Sequence, residues 1–330
     1  MPIDLGFRIV GSYDGGERRL VEWPTAFVAY ASLDERADVN REAYLSAFTF
    51  GEDFRNYLDA NGSTKGFDGE CRAEYIWFDI DREDKQTKQV NLDAARLETA
   101  RLCLLLTDRY SLDDDDLLIF FSGSKGFHVG LPTDLWQPTA SGVFNLTARR
   151  LAEGLAASCE VVIDSGVFDK VRPFRAPNSR HPKTKLHKRR LSIDELMHLK
   201  IERIQELAGE PLAFDVPTIT ATSKQAANDW LEATRQVEQA AEAFKQRLAM
   251  ANGSATLNRA TLEFIRNGAS PGDRHRLLFS ASANLAEFGC PVELAHELLN
   301  EAALDSGLSP SETRRQIDCG LNHSRKGNGS

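Results

Sequence analysis

Apolar residues recur in short runs bounded by polar turns through most of the chain, and at helical spacing towards its end. The run at 71–81, CRAEYIWFDID, is rich in β-branched and aromatic residues and predicts a buried strand. Residues 117–121 (LLIFF) and 127–131 predict two more, joined by the turn SGSKG, and 161–164 (VVID) a fourth. Residues 26–31 (AFVAYA) read as a further strand, and 43–61 as a helix stopping at Asn61-Gly62. Residues 63–70 form a loop with two glycines. Residues 91–110 and 141–158 carry apolar positions three and four apart and predict amphipathic helices. Ser192 and Glu195 make a capping-box pattern that opens a helix over 192–208. A long Ala-, Glu- and Gln-rich helix is expected at 223–251, a linker at 252–254, four short helices over 256–322 and a disordered tail at 324–330.

At 330 residues the chain suggests two domains with full cores. No apolar run approaches the ~18 residues of a bilayer span, and the first residues lack the basic-then-apolar pattern of a signal peptide. Five separated cysteines make neither a disulfide framework nor a zinc spacing, so no zinc and a reducing cytoplasm are expected. A net charge of −9 argues against a non-specific DNA coat, but a local basic cleft can still dominate the field at a site. Asp113–Asp116 reads as a solvated loop, because no Gly turn or distal Glu completes a calcium site.

Chemistry gathers in four places. Asp79 and Asp81 end the first strand two residues apart, hence on one face. Two such anions repel; they are either a clamp for a divalent cation or a solvated strand end. The turn at 122–128 presents Ser122, Ser124, Lys125 and His128, with glycines that allow a backbone anion nest. A polar hairpin with a packed histidine is the alternative. No Walker A motif is present, so any helicase is a separate chain. Asp164 ends the fourth apolar run as a third acid. Residues 170–190, KVRPFRAPNSRHPKTKLHKRR, then carry nine Lys or Arg, two His and no acid. A charge run is usually a solvated face, but here Arg172, Arg175, Ser179, His181 and Lys183 are interleaved with prolines and an aromatic. Donors of such mixed geometry suit a triphosphate or a nucleic-acid backbone.

Taken as a set, Phe78-Asp79-Ile80-Asp81, Gly126-Phe127-His128, Ile163-Asp164 and the segment RPFRAPNSRHPK at 172–183 resemble the motifs of the archaeo-eukaryotic primase superfamily, including plasmid and phage primase-polymerases. The resemblance covers about residues 20–200; residues 256–322 are similar to the small helical domain that often follows such primases. It implies an α+β fold: an N-terminal α/β unit, an RRM-like antiparallel sheet with helices on one side, and a small all-α bundle. The boundaries implied are a catalytic domain at 1–210, a helical connector at 211–254 and a C-terminal domain at 255–330.

The resemblance also implies that Asp79, Asp81 and Asp164 hold Mg²⁺ or Mn²⁺ as a two-metal site. Ser122, Ser124, Lys125, His128, Arg172, Arg175, Ser179, His181 and Lys183 would contact nucleotide, NTP or dNTP, or template. Arg274, His275 and Arg276, at one helix start, would contact template. The expected activity is primer synthesis on single-stranded DNA. A gap-filling or end-joining polymerase, a non-catalytic replication initiator or single-strand binder, and a metal-dependent nuclease are the alternatives. The Lys-Thr-Gly turn usual in the family reads Lys183-Thr184-Lys185 here.

Overall fold

The computed structural model describes residues 4–12, 17–83, 87, 89–219, 221–251, 257–269 and 272–327. The expected linker at 252–254 lies outside them. The chain is α+β, with antiparallel sheets and a helical C-terminal region. It divides into two compact units, Met1–Ala240 and Ala241–Ser330, each with a hydrophobic core of its own.

Among the described residues the first unit holds two sheets. One has the order β5-β4-β1-β3-β9 with β2 also on β1, from β1 (Leu5–Val10), β2 (Arg18–Glu22), β3 (Ala43–Ser46), β4 (Thr49–Phe50), β5 (Cys71–Arg72) and β9 (Pro173–Arg175). The other has the order β10-β7-β8-β6, from β6 (Tyr75–Asp81), β7 (Leu118–Phe121), β8 (Gly126–Pro132) and β10 (Arg189–Leu191), all antiparallel. Between these strands run the helices α3 (Leu92–Tyr110) and α4 (Phe144–Ser158). Alternation along β6 divides its side chains. Tyr75 and Trp77 stack towards Phe27 and Trp77 towards Phe174 of β9, so this face looks at the first sheet. Ile76, Phe78 and Ile80 take the opposite face and are fully buried. Asp79 and Asp81 share the face of Trp77, in the space between the sheets.

Three expectations fail for physical reasons. Residues 26–31 are not a strand but part of α1 (Trp23–Ala31): Pro24 sits in the first turn, and Trp23, Phe27, Tyr30 and Ala31 are buried at helical spacing. Residues 43–50 form β3 and β4 rather than helix, because every residue of both strands is buried; the helix α2 (Glu52–Asn61) starts only after Gly51 and ends at Gly62, as the Asn-Gly signal indicated. Residues 161–164 are extended but belong to no ladder. The Asp164 amide donates to the Asp79 carbonyl at 2.9 Å, and Arg82 donates to the Val162 carbonyl at 2.7 Å, so the segment is tied along the free edge of β6. The order strand, helix, two strands, helix, extended segment is that of a split βαβ unit.

The capping box at Ser192 and Glu195 forms, but the helix it opens breaks at Leu199 into α5 (Ile193–His198) and α6 (Ile201–Leu207). The long helix α7 (Lys224–Ala251) carries the boundary between the units. In the second unit α8 (Arg259–Asn267), α9 (Arg274–Glu287), α10 (Val292–Asp305) and α11 (Pro310–Gly327) surround Phe264, Leu278, Leu299 and Ile317. A Cβ at Gly320 would meet the Phe279 carbonyl at 2.6 Å, so glycine lets α11 lie close on α9. Residues 324–327, expected to be disordered, continue α11; 328–330 lie outside the described residues. No described helix is long and apolar enough to cross a membrane.

Candidate functional site

The register of β6 on β8 builds the site. Asp79 pairs directly with His128, and Asp81 with Gly126. Cross-strand partners project to the same face, so the aspartate pair and the histidine face each other's side chains; Asp79 Oδ1 lies 3.5 Å from His128 Nε2. A Cβ on Gly126 would fall 2.2 Å from an Asp81 carboxylate oxygen, so this position must be glycine for Asp81 to fold back over the turn. Asp164 arrives through its amide bond to the Asp79 carbonyl, with its own carboxylate accepting from the Gly166 amide at 2.8 Å.

The electrostatics are those of crowded anions. Burial, and then the charges of Asp81 and Asp164, push the Asp79 carboxyl up to about 7. Burial also raises Asp81, opposed by Lys125, whose ammonium sits 3.1 Å from Asp81 and 3.2 Å from Glu83. Among the described residues, Asp79 Oδ1 is buried with no hydrogen-bond partner. Also among them, no three His, Cys, Asp or Glu side chains stand close enough to form a cation cluster. The three acids thus interact through charge rather than as a closed cage. The unsatisfied Oδ1, with two further acids raising the cost of its charge, fits a group that binds a cation.

His128 is buried, and its imidazole is held neutral by burial and by the nearby charges of Lys188 and Arg175. Its ring packs against that of Phe174, tilted by 37°, with centroids 4.4 Å apart. Next to Phe174, Arg175 lies over the Tyr44 ring at 5.2 Å and 3.8 Å from Glu42; its buried Nη1 has no partner among the described residues. A buried guanidinium N–H without an acceptor is a ready anion contact.

Other expected donors serve the fold. Ser179 is wholly buried, and its hydroxyl donates to the Ala43 and Ala176 carbonyls, so it is withdrawn from the ligand set. Ser122 is buried too; its oxygen accepts from the amides of Ser124 and Gly126, using N–H groups that the expected anion nest would need. His181 is pushed down to about 4 by burial and by Arg175, and its Nδ1 accepts from the Lys183 and Thr184 amides. It caps the turn over 181–185, in which Lys185 adopts φ +64°. Thr184 donates to the Gly123 carbonyl at 2.5 Å and ties this turn to the one carrying Lys125. Arg172 is half-buried; Ser124 is half-buried and Lys183 exposed on these two turns.

No protein-family model matches the chain. No curated protein matches it either. Among solved structures the chain is similar to the crystal structure of primase RepB′, at 13% identity and a TM-score of 0.36, over 97% of this chain and 88% of that one.

Arg274, His275 and Arg276 do open a helix, but in the second unit, where each already has work. Arg274 donates to the Ser306 and Gly307 carbonyls beyond α10, His275 lies 3.8 Å from Glu312, and Arg276 pairs with Asp273 at 3.0 Å. Sequence reasoning missed two residues of the first unit. Arg82 bridges Glu98 and the Val162 carbonyl and so holds the Asp164 segment against β6. Lys188 is 1% exposed beneath the site. Its signal is present only as one more basic residue in a basic run.

Proposed function

We propose that the chain is a DNA-dependent nucleotidyltransferase that makes primers on single-stranded DNA from NTPs or dNTPs. The observation that carries this reading is the pairing of Asp79 and Asp81 with His128 and Gly126 across β6 and β8, with Asp164 tied to the same strand and Arg175 offering a buried, unpartnered donor. Asp79, Asp81 and Asp164 would hold the divalent cation. Mg²⁺ or Mn²⁺ bound there supplies the charge that activates an attacking 3′-oxygen and offsets that of departing pyrophosphate.

The chain's own groups divide the remaining tasks. Arg175, together with Lys125, Arg172 and Lys183 of the same unit, would bind the triphosphate by charge. The neutral imidazole of His128 orients a phosphate oxygen through an N–H without adding charge beside Asp79. The packed rings of Phe174 and Trp77 limit water behind these groups, which strengthens each contact. A nuclease needs the acids but not this set of phosphate donors.

The test is synthesis on an unprimed single-stranded template with labelled nucleotides and Mg²⁺ or Mn²⁺. Products that vanish in Asp79→Asn and Asp164→Asn support the proposal; products of undiminished yield in either variant refute the acid assignment. The engagement of Arg274 with the Ser306 and Gly307 carbonyls favours a second reading, a polymerase that extends but does not prime. An annealed primer in a parallel reaction separates the two.

A further inference from the structure

We infer that Lys188 is a positioning residue of this site: its ammonium pins β9 onto the four-stranded sheet and thereby sets where Arg175 and His128 stand. The inference rests on the nucleotide-binding reading above. Lys188 Nζ donates to the Arg175 carbonyl at 2.8 Å. It lies 4.4 Å from the Phe174 ring centroid, 4.7 Å from that of Phe120 and 4.9 Å from that of Trp77. Phe174 belongs to β9 of one sheet; Trp77 and Phe120 belong to β6 and β7 of the other. One ammonium therefore touches both sheets, through three rings and a carbonyl. The Phe174 ring that it faces is the ring packed against His128, and the carbonyl that it holds belongs to Arg175.

The main chain of Lys188 is fixed as firmly. Its amide donates to the Ser179 carbonyl at 3.0 Å, and its carbonyl accepts from Asn178 at 2.8 Å. The side chain thus leaves a rigid base and closes a loop back to β9. No carboxylate forms an ion pair with it among the described residues, so a buried amino group is kept on rings and one carbonyl. Such a group is costly to bury, and an apolar residue of similar length is often tolerated or stabilising in its place. A lysine whose task were only to fill the core would be poorly chosen. Burial and the charge of Arg175 hold its ammonium well below the usual lysine range, with Asp79 opposing them.

Lys188→Met keeps the length and removes the donor and the charge. The readouts are the histidine ring signals of labelled protein by NMR, titration with a nucleoside triphosphate, and the thermal midpoint. The expected result is a shifted His128 ring signal, nucleotide affinity lower by about tenfold, and a midpoint equal to or above that of the wild type. Unchanged His128 signals with unchanged affinity overturn the inference. So does a variant that fails to fold, since Lys188 would then be a core residue only. If the wild-type chain binds no nucleotide, the proposed function fails on its own account, and the His128 signals alone decide the role of Lys188.

Discussion

Asp79 is the residue on which most of the site's energetics turn. Its carboxyl is raised from an ordinary 3.8 to about 7, mainly by burial and then by Asp81 and Asp164. A group bound more tightly to its proton in the folded state favours folding where it is protonated. That advantage is complete below about pH 4 and is lost as pH rises to about 7; above that the buried anion is a constant cost. Asp79→Asn, which cannot ionise, should match the wild type near pH 4 and exceed it by about 1–3 kcal/mol at pH 8 in chelator. Denaturant unfolding across that range measures the difference, and a difference independent of pH would contradict the crowding of acids. Mg²⁺ or Mn²⁺ should raise the wild-type midpoint at pH 8 and leave that of the variant nearly unchanged. Arg175 carries the second prediction at this scale: Arg175→Ala should weaken nucleotide binding by about 1.5–3 kcal/mol, read by titration, whereas loss through unfolding would show first in the midpoint.

At the scale of elements, the segments that the sequence revealed best were those whose pattern reports one environment. The strands at 117–121 and 127–131, the helix over 91–110 and the capping box at Ser192 each took the expected form. Residues 26–31 misled because six apolar residues look alike in strand and buried helix; Trp23, outside that run, sets the helical spacing. The acids and His128 stood out in the sequence because their chemistry is local to a strand end or turn. The structural roles of Lys188, Ser179 and Asn178 were not legible there, since each rests on partners distant in sequence. Asn178 is buried at φ +58°, donates to the Tyr30 and Leu212 carbonyls and accepts from the Leu212 amide. Asn178→Ala should cost about 2–4 kcal/mol of stability, for buried groups left unpaired. The Lys183-Thr184-Lys185 turn holds Lys185 at φ +64°, where glycine has no steric penalty. Lys185→Gly should therefore be neutral or stabilising by up to about 1 kcal/mol and should leave nucleotide affinity intact; a marked loss of stability would mean that the Lys185 side chain has a role of its own.

For the whole molecule, the two units have separate cores: Phe78, Phe120 and Leu155 belong to one, Phe264, Leu285 and Ile317 to the other. All three acids and the phosphate donors of the proposed site fall in the first. A chain ending at Ala251 should fold and extend an annealed primer at a rate within about twofold of the full chain, as expected for sites with independent packing. Priming asks more, because two free nucleotides must be held together without a primer. Loss of unprimed synthesis alone would give the helical unit a part in initiation; retention would leave it as a docking module.

Lys125 has a consequence for how the protein meets its salts. By standing against Asp81 and Glu83 it gives the free protein a resident counter-ion. A potassium or sodium ion offers no more charge than the ammonium already there and so gains little by displacing it; a divalent ion gains one full charge. If the proposed acids hold a divalent cation, the lysine would act as a valence filter, set against the commonest ions of a cell and open to the scarcer ones. In Lys125→Met the filter is gone: potassium chloride should then raise the thermal midpoint at pH 8, while tetramethylammonium chloride, too large to enter, should not, and the wild type should respond to neither.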